Sequence, residues 1–86
     1  MIIDFHKNFK KNYKLRITRE NLKKRVAEKI EKFRQNPNDP LLHNHPLKGA
    51  KKGLRAFSIS GDIRIVYYVE NDACIFLDIG THNQVY

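Results

Sequence analysis

One cysteine in 86 residues leaves no disulfide framework and no cysteine zinc site. Cys74 sits in the apolar run Ala73-Cys74-Ile75-Phe76-Leu77, where a thiol packs as a small apolar side chain. Long hydrophobic runs are also missing, since no stretch approaches the ~20 apolar residues of a membrane span. Met1-Ile2-Ile3-Asp4 meets a charge too early for a secretory signal. These absences predict a cytoplasmic protein without a membrane role. The chain is too short for two cores, and its balance of apolar and charged residues argues against disorder, so one domain over residues 1–86 is expected.

Acidic charge is scarce in one half only. Residues 1–35 hold 12 Lys/Arg against 4 Asp/Glu, a surplus of +8, whereas residues 36–86 hold 5 against 5, so the formal charge of +8 belongs to the first half. Such a surface favours a polyanion, either RNA or an acidic protein.

Ile2 and Ile3 predict a short opening strand. Phe5, Phe9 and Tyr13 follow at four-residue spacing, one face of a first helix whose remaining surface is lysine-rich and whose rings belong in a core. Thr18 is the predicted N-cap of a second helix with the apolar stripe Leu22, Val26, Ile30 and Phe33, and the two helices form a hairpin. Asn36-Pro37-Asn38-Asp39-Pro40 stops the second helix, and residues 36–53 read as loop. Three strands then follow, Leu54–Ser60, Ile63–Glu70 and Ala73–Ile79, separated by Gly61-Asp62 and Asn71-Asp72. Alternation assigns Phe57, Ile59, Ile63, Ile65, Tyr67, Val69, Ile75, Leu77 and Ile79 to the helix-covered face. It assigns Ser58, Arg64, Val66, Tyr68, Cys74, Phe76 and Asp78 to the opposite face, where chemistry is expected. The expected class is α+β, in the order β-α-α-β-β-β, with the helical hairpin packed on a twisted, mainly antiparallel sheet.

Two segments carry the chemistry, Leu42-His43-Asn44-His45-Pro46-Leu47-Lys48-Gly49 and Gly80-Thr81-His82-Asn83-Gln84-Val85-Tyr86. They offer imidazoles that move protons near neutral pH, an aromatic ring for a base, and cations for phosphate. His45-Pro46-Leu47-x-Gly49, Gly53-x-Arg55, Asp62 and Gly80-Thr81-His82 with a following aromatic, in this order and spacing, resemble the RelE/ParE superfamily of toxins. Within it the chain is most similar to YafQ-type toxins of bacterial type II toxin–antitoxin modules. The resemblance extends over nearly the whole chain. It implies a RelE-like fold, ribosome-dependent mRNA cleavage, and a neutralising antitoxin in a hetero-oligomer. Two positions depart from the family pattern: Ser58 replaces a histidine, and Asp78 replaces an arginine just before Gly-Thr-His. Arg64 stands where RelE-like relatives place a catalytic arginine.

RNA cleavage by its own 2′-hydroxyl requires a base for that proton, an acid for the departing 5′-oxygen and cations for phosphate charge. His82 is the candidate acid, with a solvated histidine as the plain alternative. His45 is either the base or an orienting, phosphate-contacting group. Asp62 either holds an imidazolium or acts as the base, although Gly-Asp is equally a hairpin turn. Arg64 within an apolar strand is expected to clamp phosphate together with Arg55, unless it pairs internally with Asp78. Lys48, Lys51 and Lys52 crowd the loop beside His45 as contacts to mRNA or ribosomal RNA phosphates. Tyr86 either stacks on a base or plugs the open end of the sheet.

His43 and His45 with His82 raise the thought of zinc, but no closed set of four ligands accompanies them, so no metal or other cofactor is expected. His6 is expected at the surface. A rival reading is a non-catalytic module, either a ParE-like gyrase inhibitor or a degenerate toxin kept for complex formation. Ser58 and Asp78 favour the rival; His45, Asp62 and His82 oppose it.

Overall fold

A computed structural model describes every residue from Met1 to Tyr86. The order is β1 (Ile2–Phe5), α1 (Lys7–Arg16), α2 (Glu20–Gln35), β2 (His45–Pro46), β3 (Arg55–Ser60), β4 (Ile63–Glu70), β5 (Ala73–Gly80) and α3 (His82–Val85). Short 3₁₀ turns occupy Pro40–Leu42 and Gly49–Lys51. The five strands lie in the order β1-β5-β4-β3-β2, with β1 parallel to β5 and every other pairing antiparallel. This is the expected α+β architecture with two additions: β2 inside the segment read as loop, and α3 after the last strand.

The helix starts differ from expectation. Phe5 closes β1 rather than opening α1, and the half-buried His6 caps the helix by accepting from the Asn8 amide at 3.0 Å. The Phe5 ring reaches Phe9 at 5.3 Å and Phe76 at 5.6 Å, but it is 40% exposed, so of the three rings expected in a core only Phe9 is buried there, with Tyr13 packed against it and Phe5 at the rim. The N-cap of α2 is Arg19 rather than Thr18, and no side chain caps it.

Helix α1 packs on β5 and α2 on β3, so both cover one face of the sheet. Phe33 of α2 is fully buried and stacks on Phe57 with ring centroids 4.5 Å apart, while Tyr67 and Phe76 meet it edge-on at 5.0 and 5.5 Å. Offset and edge-to-face contacts of this kind add to the large apolar area each ring removes from water.

The inner face of β5 corrects the simple alternation. Cys74, Phe76 and Ile79 are buried in this core, whereas Ile75 and Leu77 are only half-buried. The cause is a bulge: Val66 pairs with Asp78 but Tyr67 pairs with Phe76, so Leu77 is an extra residue in β5. One inserted residue moves every later side chain to the other face.

Beyond Phe76, β5 has no β1 neighbour, because that pairing ends at Phe5↔Phe76. Helix α1 takes over with a polar stripe. Asn8 donates to the Leu77 carbonyl at 3.0 Å, Asn12 to the Asp78 carboxylate at 2.8 Å, and Arg16 to the Ile79 carbonyl at 3.0 Å. Three residues at four-residue spacing thus bond three consecutive residues of the strand, and edge groups that water would otherwise have to satisfy are paired.

Candidate active site

The sheet face opposite the helices carries a small apolar patch of Ala56, Val66 and Val85, flanked by Leu47 and Leu54. Val85 belongs to α3, which turns back over this face. The turn is made by a capping box: the Gln84 amide donates to the Thr81 hydroxyl at 3.3 Å, and the Gln84 side-chain carbonyl accepts from the Thr81 amide at 2.8 Å. Gly80 makes this possible, since a Cβ there would lie 2.6 Å from Gln84 Oε1 and 2.8 Å from Arg16 Nη1. Gly80 pairs with Arg64, and His45 pairs with Ala56 two rows away. A reversed α3 therefore runs from the Arg64 end of the sheet toward β2 and delivers Tyr86 to His45.

Tyr86 is the point on which the site converges. Its ring meets His82 edge-on with centroids 4.5 Å apart, the Arg64 guanidinium lies 5.3 Å from its centroid, and its hydroxyl is 3.5 Å from His45 Nε2. Arg64 also donates to the Asp62 carboxylate at 3.3 Å and to the Asp62 carbonyl at 3.4 Å. His45, His82, Asp62, Arg64 and Tyr86 are thus brought together. A cleft of about 430 Å³ opens beside them, lined by His45, Pro46, Leu47, Lys48, Lys51 and Tyr86. It combines an apolar wall with two ammonium groups and an imidazole, a lining suited to a base on one side and phosphate on the other.

The orientation of His45 follows from its neighbour. His43 has a left-handed backbone, φ 49°, and its carbonyl lies 2.8 Å from His45 Nδ1. A carbonyl only accepts, so Nδ1 carries the proton and Nε2 of the neutral ring holds the free lone pair. That basic nitrogen faces Tyr86 and the cleft.

Arg55 and Lys52 are not drawn into this cluster. Register pairs Ser58 with Arg64 and Arg55 with Tyr67, so alternation along β3 puts Arg55 on the helix face and Arg64 on the site face. The expected Arg64–Arg55 clamp is therefore not formed. Arg55 Nε instead donates to Asn44 Oδ1 at 3.0 Å, and Asn44 donates onward to the Tyr67 hydroxyl at 2.7 Å and the Pro37 carbonyl at 3.0 Å. Asn44 was not singled out in the sequence, although an amide between two candidate histidines was the available signal. Lys52 is exposed outside the cleft. The alternative ion pair of Arg64 with Asp78 is also overturned: Arg64 pairs with Asp62, and Asp78 pairs with Arg16 at 3.3 Å.

A sheet backed by a helical hairpin, with a basic cleft under a C-terminal turn, defines the RelE-like class of toxins. The model of the family described as bacterial toxin of type II toxin–antitoxin system, YafQ, matches residues 1–86, and the chain belongs to that family, within the RelE/ParE superfamily. The family is one of RNase-type toxins. Among solved structures, a copper-bound mutant toxin from Helicobacter pylori is 28% identical over 100% of this chain and 99% of that one, with a TM-score of 0.74. YafQ from E. coli strain BL21(DE3) is 22% identical over 98% of this chain and 96% of its own, with a TM-score of 0.83. The toxin in the E. coli DinJ–YafQ complex is likewise 22% identical over 98% and 96%, with a TM-score of 0.73. No curated protein matches the sequence significantly.

Proposed function

We propose that this toxin is a ribosome-dependent mRNA endoribonuclease that arrests translation. The observation that carries the reading is the convergence of His82, Arg64 and His45 on Tyr86 beside a lysine-lined cleft. His45 Nε2 takes the proton from the 2′-hydroxyl, which attacks the adjacent phosphorus. Arg64, braced by Asp62, stabilises the charge that develops on the phosphate, and His82 protonates the departing 5′-oxygen. The products are a 2′,3′-cyclic phosphate and a free 5′-hydroxyl. Tyr86 stacks on a base, while Lys48 and Lys51 hold the neighbouring phosphates. Arg55 acts indirectly, by fixing Asn44 between His43 and His45.

The basic helices α1 and α2 face ribosomal RNA, and the protein acts in the cytoplasm. No helix is long and apolar enough to cross a membrane. The antitoxin is a small protein whose acidic, partly disordered segment wraps the toxin and folds on binding, in a hetero-oligomer as in the DinJ–YafQ complex. The H. pylori toxin is copper-bound; in this chain no three His, Cys, Asp or Glu side chains lie close enough to share a metal ion.

Primer extension on a defined mRNA in a purified translation system tests this reading. Cuts at A-site codons that need both ribosomes and His82, with a loss of roughly 10²-fold or more in His82→Ala, are expected for removal of a general acid. Absence of cuts by folded wild-type protein would overturn it. So would an SOS response that is indifferent to His82, which would point to gyrase.

A further inference from the structure

We propose that Asp78, held by Asn12 and Arg16, is a positioning residue that fixes the reach of His82 and Tyr86 over Arg64, an inference that rests on the mRNA-cleavage reading. Asp78 Oδ1 accepts from the buried Asn12 amide at 2.8 Å, from Arg16 Nη1 at 3.3 Å and from the Ile79 backbone amide at 2.8 Å. One carboxylate oxygen therefore ties the second and third turns of α1 to the bulged end of β5. The same Arg16 nitrogen donates to the Ile79 carbonyl, and it and Gln84 Oε1 of the capping box crowd the same side of Gly80, where a Cβ would lie 2.8 Å and 2.6 Å from them.

This chain of contacts continues without a gap into the site. Gly80 pairs with Arg64, Thr81 caps α3, and α3 begins at His82. After the bulge at Leu77, residues 78–80 keep their pairing with β4, but their other edge lies beyond the end of β1. That edge is held by side chains from α1. Asp78 is half-buried and beside a guanidinium, so its removal leaves Asn12 without its closest partner and Arg16 without its counter-charge. The expected result is a site with all its chemical groups but with His82 misplaced relative to Arg64. A misplacement on the order of 1 Å far from the reacting atoms can cost ~10²-fold in rate.

The test compares Asp78→Ala with Asp78→Asn. The amide variant keeps an oxygen acceptor for Asn12, Arg16 and the Ile79 amide, so it is expected to retain cleavage within about threefold, whereas Asp78→Ala loses about 30-fold or more in kcat with an unchanged KM for programmed ribosomes. Asp78→Ala that cleaves at the wild-type rate, or a loss confined to KM, would overturn the proposal. If Asp78→Ala does not fold by circular dichroism, Arg16→Gln decides by the same split. Amide hydrogen exchange separates this idea from the cleavage reading itself. Gln84 and Tyr86 amides exchanging at least about tenfold faster in Asp78→Ala, with core strand amides unchanged, support the positioning link even if wild type cuts no RNA; equal exchange would overturn it.

Discussion

The hydroxyl of Tyr86 stands 3.5 Å from Nε2 of His45, 41 positions earlier in the chain. The contact is long for a hydrogen bond between these groups. The ring of Tyr86 contributes more than its hydroxyl, because both His82 and Arg64 lie against it. Tyr86→Phe is therefore expected to keep most of the cleavage rate. Tyr86→Ala is expected to lose about 10- to 100-fold, the scale of one base–aromatic stack of ~1–3 kcal/mol. Single-turnover cleavage on programmed ribosomes reads both, and a Phe variant as impaired as the Ala variant would give the hydroxyl the leading role.

Gly80→Ala places a methyl group 2.6 Å from Gln84 Oε1 and 2.8 Å from Arg16 Nη1. Both obstructing atoms end flexible side chains, so the fold survives while the capping box opens, at a cost of about 1 kcal/mol typical of a lost N-cap. Fraying of α3 and a fall in cleavage are expected, with the thermal transition shifted by only a few degrees. Unchanged exchange of the Gln84 amide would show that the box does not depend on a bare backbone at this position.

Lys48 and Lys51 line the cleft and have no carboxylate partner. If both neutralise phosphates, replacing them together by Ala flattens the dependence of log K on log salt for single-stranded RNA by about 1.4, at roughly 0.7 per contact. Fluorescence anisotropy across a salt series measures this. An unaltered slope would make them bystanders.

Burial pushes the Cys74 thiol above its ordinary range, with a small opposing pull from the N-terminal ammonium. The unfolded thiol ionises first as pH rises, so between the ordinary thiol pKa and the raised one the unfolded state binds fewer protons than the native state. Stability from this group is complete below the ordinary value and is lost as pH rises through that window. Urea titrations above neutral pH should show a decline that Cys74→Ala reduces, and an identical decline in the variant would assign it to other groups.

Much of the fold was legible in the residues, for reasons the structure makes plain. Strand β4 sends Ile63, Ile65 and Tyr67 toward the helix-side core as its alternation implies, although Val69, expected on the same covered face, is 62% exposed near the strand's end, and the β4–β5 turn at Asn71-Asp72 has positive φ at both residues, 50° and 67°, as a tight hairpin requires. What escaped has physical causes. Two-residue β2 is too short for any period, and Leu77 inserts into β5 without a sequence mark, which is why simple alternation puts Cys74 and Phe76 on the wrong face. The Asn8, Asn12 and Arg16 stripe was hidden among lysines, although its four-residue spacing was visible. Within the site, His82, His45, Asp62, Arg64 and Tyr86 lie together as their chemistry suggested. Arg55 does not, because counting residues along β3 from Arg64's partner Ser58 puts it on the other face.

The attachment of α1 to β5 spans 62 to 69 residues of chain, and β1 pairs with residues 73–76 of the same strand. The helical hairpin is synthesised first but has no sheet on which to bury its apolar side until β3, β4 and β5 have emerged. Non-local pairing of this kind delays folding until its partners exist. The site, which needs β2, β4, β5 and α3 together, thus assembles only after nearly the whole chain has been synthesised, so the toxin has no early, partly made active form.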